Sequence, residues 1–238
     1  MNYLSYVFIL FMIYSIIGYI CEMTYAAFKN QKVVNRGFFC GPYLPIFGLG
    51  SIFILYALTR YESDPIVVFV FGMIICSALE YFTSFLLEKI FHNMWWDYYD
   101  YKYNLNGRIC LFNSLLFGIA SLVVIYLAQP LIDELLSMLS VKFLNILAII
   151  IFIIFIIDVV YSIIVAFNLR NRLIIVEELK REKLAKIPRM FEKILKQRVA
   201  KFRIYPTRLL KAFPKLFKDN IKEFTLMKKF KNNKNSKK

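Results

Sequence analysis

Three carboxylates stand inside long apolar stretches of this 238-residue chain: Glu22, Glu80 and Asp158. An ionisable group in hydrocarbon costs ~2.5 to 3.5 kcal/mol or more, so such residues face a protein interior and are candidates for carrying protons or binding polar substrates. Arg36 follows Glu22 at the next connector, beside Asn35, and Arg108 follows Glu80, beside Asn104 and Asn106. Trp96 and Asp97 lie in that same second connector. One chemistry that fits this set is binding of a polar substrate, or coupling of its movement to protons. Another is catalysis on lipid headgroups or lipid-linked precursors. Glu80 or Asp97 would then be the general base, Arg36 and Arg108 would neutralise phosphate, and Asn104 and Asn106 would orient it. Structural ion pairing of Glu22 and Glu80 with Arg36 and Arg108, in a scaffold or assembly factor, is the third use of the same residues.

Several chemistries are absent from the sequence. It has no G-x-x-x-x-G-K-[ST], so the chain does not bind ATP through a P-loop, and it has no H-E-x-x-H helix, Ser or Cys triad, or acidic metal signature. His92 is the only histidine, and Cys21, Cys40, Cys76 and Cys110 show no C-x-x-C spacing. No metal site and no cofactor are expected, and no catalytic residue is assigned. A cysteine–histidine pair would have to join His92 to Cys40 or Cys110, and both cysteines read better as small buried hydrophobes. No disulfide is expected, since three of the four lie near span ends facing the reducing side.

The elements that must position these groups are membrane helices. The chain is 59% hydrophobic, 18% aromatic and 20% charged, with a mean hydropathy of +0.56, which excludes a soluble enzyme, a secreted disulfide scaffold and a disordered chain. Five segments meet the ~20-residue length that a ~30 Å hydrocarbon core requires. They run from about Tyr3 to Phe28, Phe38 to Thr59, Pro65 to Leu87, Cys110 to Leu131 and Phe143 to Phe167. The expected fold is therefore an all-α membrane protein with about five transmembrane helices, forming a domain over 1–167. Lys29, Lys32 and Arg36 follow the first segment, and Lys89, Lys102 and Arg108 follow the third, whereas Arg60 and Lys142 alone follow the second and fourth. By the positive-inside rule the N-terminus is outside and the C-terminal tail cytoplasmic. A signal peptide is disfavoured for the first segment, which lacks a basic n-region and a small-residue cleavage pattern.

The tail is a second region, 168–238. Residues 1–167 hold eight Lys/Arg against ten Asp/Glu, a charge of −2, and the remainder holds 23 against six, a charge of +17. Apolar residues recur there at helical spacing, as in Phe191, Ile194, Leu195 and Phe202, then Phe213, Leu216, Phe217, Ile221 and Phe224. Basic amphipathic helices of this kind lie on anionic leaflets, so membrane lipid is the expected partner and nucleic acid is not.

Both connectors on the tail side are more than links. The first carries Gly41, Pro42, Pro45 and Gly48, which predict an irregular or kinked start to the second span. The second threads Asp97, Asn104, Asn106 and Arg108 between tryptophans and tyrosines, as in a polar site roofed by aromatic rings. At ~1.5 Å per residue, Glu80 lies about 10 Å and Asp158 about 14 Å above the tail-side ends of their helices, with Glu22 in the interface layer. An internal echo accompanies this: Glu22, Asn-Arg-Gly and an entering helix are followed by Glu80, Asn-Gly-Arg and an entering helix.

The run from Asn35, Asn-Arg-Gly-Phe-x-x-Gly-Pro-Tyr-Leu-Pro-Ile-x-Gly-x-Gly, resembles the bacterial membrane family called Putative ABC-transporter type IV, CmpB-like. So do Leu-Glu-Tyr at Leu79 and Trp-Trp-Asp-Tyr with Asn-x-Asn-Gly-Arg-Ile-Cys-Leu from Trp95. The resemblance spans about residues 5 to 135. It implies a permease-like membrane component of a transport system in the bacterial plasma membrane, with a separate ATPase subunit as partner. The charge alternation yields a direct test of topology. A reporter fused after Lys32, after Asp100 or at Lys238 should report cytoplasm, and one after Glu62 or Ser137 the outside; reversal of any two contradicts the five-span arrangement.

Overall fold

The computed structural model describes residues 3–30, 37–91 and 94–183. Asn35, Arg36, His92 and the chain beyond Lys183 lie outside the described residues, as do the tail's amphipathic segments. Six α-helical segments follow in order: α1 (Tyr3–Asn30), α2 (Pro45–Leu58, extended by a 3₁₀ turn to Tyr61), α3 (Pro65–Phe91), α4 (Leu111–Val123), α5 (Gln129–Ser137) and α6 (Val141–Lys183). A π segment, Val124–Ala128, joins α4 to α5 into one rod, and a two-stranded hairpin, β1 (Asn104–Leu105) and β2 (Ile109–Cys110), precedes α4. The chain falls into two units, Met1–Val159 and Val160–Lys238. The described part of the second is the remainder of α6.

Among the described residues, four helices are long and apolar enough to cross a membrane: Tyr3–Phe28, Pro65–Phe91, Leu111–Ser137 and Val141–Phe167. The expected second span is the exception. Its helix runs only Pro45–Tyr61, about 25 Å at ~1.5 Å per residue, because the chain from Gly37 to Leu44 is not helical. Leu44 is extended (φ −122°, ψ 97°), as a residue before proline must be, and Pro45 occupies the first turn, where its missing N–H costs nothing. The irregular start read from the prolines is present, and it shortens the helix.

Other boundaries follow local chemistry. Asp64 caps α3, its Oδ1 accepting from the amides of Ile66 (3.0 Å) and Val67 (3.2 Å), with Pro65 behind it. Ser140 caps α6 by accepting from the Phe143 amide at 3.2 Å. Pro130 would collide with a carbonyl one turn back in a regular helix; the π segment widens that turn, and the Gln129 amide bonds Val124 O instead.

Helices α1 and α2 pack together, as do α3 and α4. Each pair closes on a glycine–serine contact and a glycine–phenylalanine contact: Gly48 on Ser15 and Gly18 on Phe47 in the first, Gly72 on Ser121 and Gly118 on Phe69 in the second. Ser15 and Ser121 are fully buried and return their hydroxyls to the carbonyls of Phe11 and Phe117. Backbones can thus approach closely without stranding a polar atom, which is how helices associate where no hydrophobic force separates them from lipid. An apolar cluster of Ile54, Leu58, Val68 and Ile125 ties the pairs together, and another of Ile9, Leu144 and Ala148 joins α6 to α1. The outer faces carry exposed Ile149, Ile153 and Ile157, a surface suited to lipid and unsuited to water.

This packing distinguishes two neighbouring glycines. A Cβ at Gly48 would overlap the Phe11 carbonyl and Ser15, while at Gly50 the nearest atom is Cys76 Sγ at 3.6 Å. Gly48→Ala should destabilise by roughly 1–3 kcal/mol, read as a lower Tm in detergent, and Gly50→Ala should leave Tm nearly unchanged.

Candidate functional site

One face of α3 is polar and buried. Ser77, Glu80 and Ser84 recur at helical spacing toward α4, where Ser77 Oγ meets Ser114 Oγ at 2.7 Å. Among the described residues, the buried polar side chains are seven serines and Glu80, which makes Glu80 the single charged-type group among them, 8% exposed. Tyr98 donates its hydroxyl to Glu80 Oε1 (3.0 Å) and accepts from Asn113 Nδ2 (2.6 Å). Glu80 Oε2 and Ser84 Oγ are buried with no hydrogen-bond partner. Burial first, and then the Glu80 charge, raise the Tyr98 pKa, so Tyr98 stays a hydroxyl donor. Glu22 is near enough to add to that shift, which places the α1 and α3 carboxylates in one electrostatic neighbourhood.

The hairpin that carries Tyr98 is built by its own polar residues. Asn106 (φ 53°) and Gly107 (φ 65°) are both left-handed, and the Arg108 amide bonds Leu105 O at 3.0 Å, the geometry that Asn-Gly favours in a tight hairpin turn. A side chain at Gly107 would also strike the Tyr99 ring. Asn104 Oδ1 accepts from the Gly107 amide (3.0 Å) while its Nδ2 donates to Tyr101 O (2.7 Å). Asp97 Oδ1 accepts from the Tyr99 amide (2.8 Å), and Trp96 Nε1 donates to Arg108 O (3.0 Å). Asn104, Asp97 and Trp96 therefore hold the loop in shape. Trp95, at its base, packs against Phe38 and Phe91 with ring centroids 5.3 and 5.7 Å away, joining the two connectors.

Arg108 does not pair with Glu80, contrary to the sequence expectation. Its Nη2 donates to Glu88 Oε2 (2.7 Å), its Nη1 to Tyr81 OH (3.1 Å), and the guanidinium lies over Tyr81 and Phe85. Asn106 Nδ2 bonds the same Tyr81 hydroxyl at 3.0 Å. The reason is helical phase. Residues 81, 85 and 88 form one stripe of α3, under the hairpin, and 77, 80 and 84 form the next, toward α4. The Glu88 hydrogen bond raises the Arg108 pKa, so the cation is permanent.

Asp158 is engaged elsewhere. Its carboxylate accepts from the amides of Cys40 (3.1 Å) and Gly41 (2.9 Å) and from the Tyr43 hydroxyl. Cys110 is buried, as a small hydrophobe would be, whereas Cys40 is exposed. Among the described residues no three His, Cys, Asp or Glu side chains converge to hold a metal ion. Sequence reasoning missed Tyr98, Asn113 and Glu88, the residues that Glu80 and Arg108 actually use. It also missed a network at the other end of α1, where Gln129 bonds Tyr6 (3.0 Å), Tyr14 (2.8 Å) and Asp133 (2.9 Å), and Tyr6 bonds Asp133. The available signal was Gln129 and Asp133 one turn apart in an apolar stretch.

Compared with known proteins, residues 9–163 match the family described as "Putative ABC-transporter type IV", a span that includes most of the apolar part of α6. No curated protein and no solved structure matches the chain.

The stripe argument is checked by double substitution. Arg108→Gln and Glu88→Gln should each lower Tm, and together by less than the separate losses combined. Arg108→Gln with Glu80→Gln should be additive, since those two side chains do not meet.

Proposed function

The chain belongs to the Putative ABC-transporter type IV family, and on that footing we propose that this multi-pass membrane protein is the permease-like component of a transport system in the bacterial plasma membrane, working with a separate ATPase subunit. The observation that carries this reading is the buried face of Ser77, Glu80 and Ser84 beneath a self-braced hairpin. A protein that needed only to fold in lipid would keep such a face apolar, because a buried carboxylate without a cation is costly. Glu80, with Glu22 nearby, is the substrate or coupling group of a polar cavity that opens toward the cytoplasm. Asn35 and Arg36 are assigned to its rim. Trp96, Asp97, Asn104, Asn106 and Arg108 shape and anchor its cover. Asp158 supports it indirectly by fixing the connector before α2.

The N-terminus is placed outside and the region 168–238 in the cytoplasm, where its +17 charge holds it to anionic lipid. This orientation requires α2 to cross together with the unwound 37–44 segment, whose Cys40 and Gly41 amides are satisfied by Asp158.

Mild-detergent capture of the full chain from its native membranes tests the proposal. Co-purification of a P-loop ATPase, with ATP hydrolysis that changes on Glu80→Gln, is the expected result. Capture of lipid-headgroup enzymes without any ATPase would favour catalysis on lipids instead.

A further inference from the structure

Burial leaves Glu80 with an electrostatic problem that its surroundings do not solve by pairing. Among the described residues, the arginine of the hairpin, Arg108, is committed to Glu88 and Tyr81, and no ion pair reaches Glu80. Oε1 receives a hydrogen bond from Tyr98, and the Asn113 amide also approaches the carboxyl, both neutral donors, while Oε2 is enclosed with no geometric hydrogen bond and essentially no accessible surface against which a water or a metal ion could sit. The other titratable groups facing it make matters worse. Glu22 from α1 is a second carboxylate, with partners of its own. Cys76, one turn back on α3, and Tyr98 would each add negative charge if ionised. Asn113 from α4 reaches both Tyr98 and the Glu80 carboxyl and is uncharged. A carboxylate in this setting costs more than neutral hydrogen bonds return without a cation. The only species that cancels its charge without needing room is a proton.

We infer that Glu80 is a proton-binding carboxyl, protonated on Oε2 in the arrangement described here, with Tyr98 donating to its carbonyl oxygen. This rests on the reading of the α3 polar face as the transport site and deepens it: the coupling ion is H⁺. The step is uptake of one proton from the aqueous side, COO⁻ becoming COOH, with no other bond made or broken. Oε1 is then the C=O that accepts from Tyr98. Oε2–H becomes a donor on the same helix face as Ser84 Oγ, four residues on, which is also buried and unpartnered. In its ionised form the site must admit water or a cation, so proton release is linked to loosening of the hairpin over α3.

Infrared spectroscopy of the full chain in lipid vesicles at neutral pH reads this directly through the C=O stretch of a protonated carboxylic acid. The wild type should show such a band, Glu80→Gln should lose it, and Tyr98→Phe should keep it at higher frequency because a hydrogen bond to the carbonyl is gone. Glu22→Gln and Asp158→Asn should leave it in place. Emission from Trp95 and Trp96, the chain's two tryptophans, reports whether each variant keeps the hairpin folded. If Glu80→Gln does not fold, the Tyr98→Phe shift decides alone. A wild-type spectrum without the band, or a band lost on Glu22→Gln and unmoved by Tyr98→Phe, would overturn the inference. The measurement needs neither substrate nor ATPase. A missing band alongside a captured ATPase therefore faults only the proton, and a present band without an ATPase faults only the transport reading.

Discussion

In hydrocarbon a backbone N–H without an acceptor costs several kcal/mol, and water is not available to supply one. Most of this molecule meets that demand with helix. The segment 37–44 cannot, because Pro42, Gly41 and Pro45 break the helix there, and Asp158 answers for it. A single carboxylate on α6 takes two successive amides and a tyrosine hydroxyl, and the Leu44 amide finds Ser15 O at 2.9 Å on α1. With those donors satisfied, α2 can start late and still lie against α1, Gly48 on Ser15. Asp158 is thus the group whose hydrogen bonds permit an unwound start to α2.

The same demand explains what the helices do with their polar atoms. Ser15 and Ser121 return their hydroxyls to their own helices, and Ser77 and Ser114 satisfy each other across α3 and α4. Arg108 and Glu88 pair near the margin, their side chains 16% and 36% exposed. Glu80 and Ser84, neighbours on one face of α3, each keep a buried atom left over, as Arg108 does at its Nε. Departures from local consistency concentrate where function requires them, and the α3 face is the clearest such departure among the described residues.

Much of this was legible in the sequence. Apolar length marked out the helices, the two prolines marked the irregular start of α2, and the rarity of intramembrane charge singled out Glu80 and Asp158. The polar residues threaded between aromatic rings in the second connector pointed to a built site, but not to the Asn-Gly hairpin turn at 106–107. What could not be read was phase. Counting residues brings Glu80 and Arg108 to the same side of the membrane, but a turn of 100° between residues 80 and 81 sends the arginine to Glu88 and leaves the glutamate to Tyr98. Tyr98 and Asn113 carry no signal of their own in a chain with 16 tyrosines. The partners of Asp158 are backbone amides, which every sequence contains and none advertises. The shortness of α2 followed the same pattern, since 22 uncharged, largely apolar residues from Phe38 to Thr59 look like a span until the prolines are given their full effect.

The account depends most directly on Asp158 satisfying the unwound connector, and hydrogen–deuterium exchange in lipid nanodiscs tests it at two amides. Cys40 and Gly41 should be protected in the wild type to the degree of their helical neighbours. In Asp158→Asn that protection should fall while the amides of α3 and of the 104–110 hairpin keep theirs. Unprotected Cys40 and Gly41 in the wild type, or protection that survives the substitution, would contradict it.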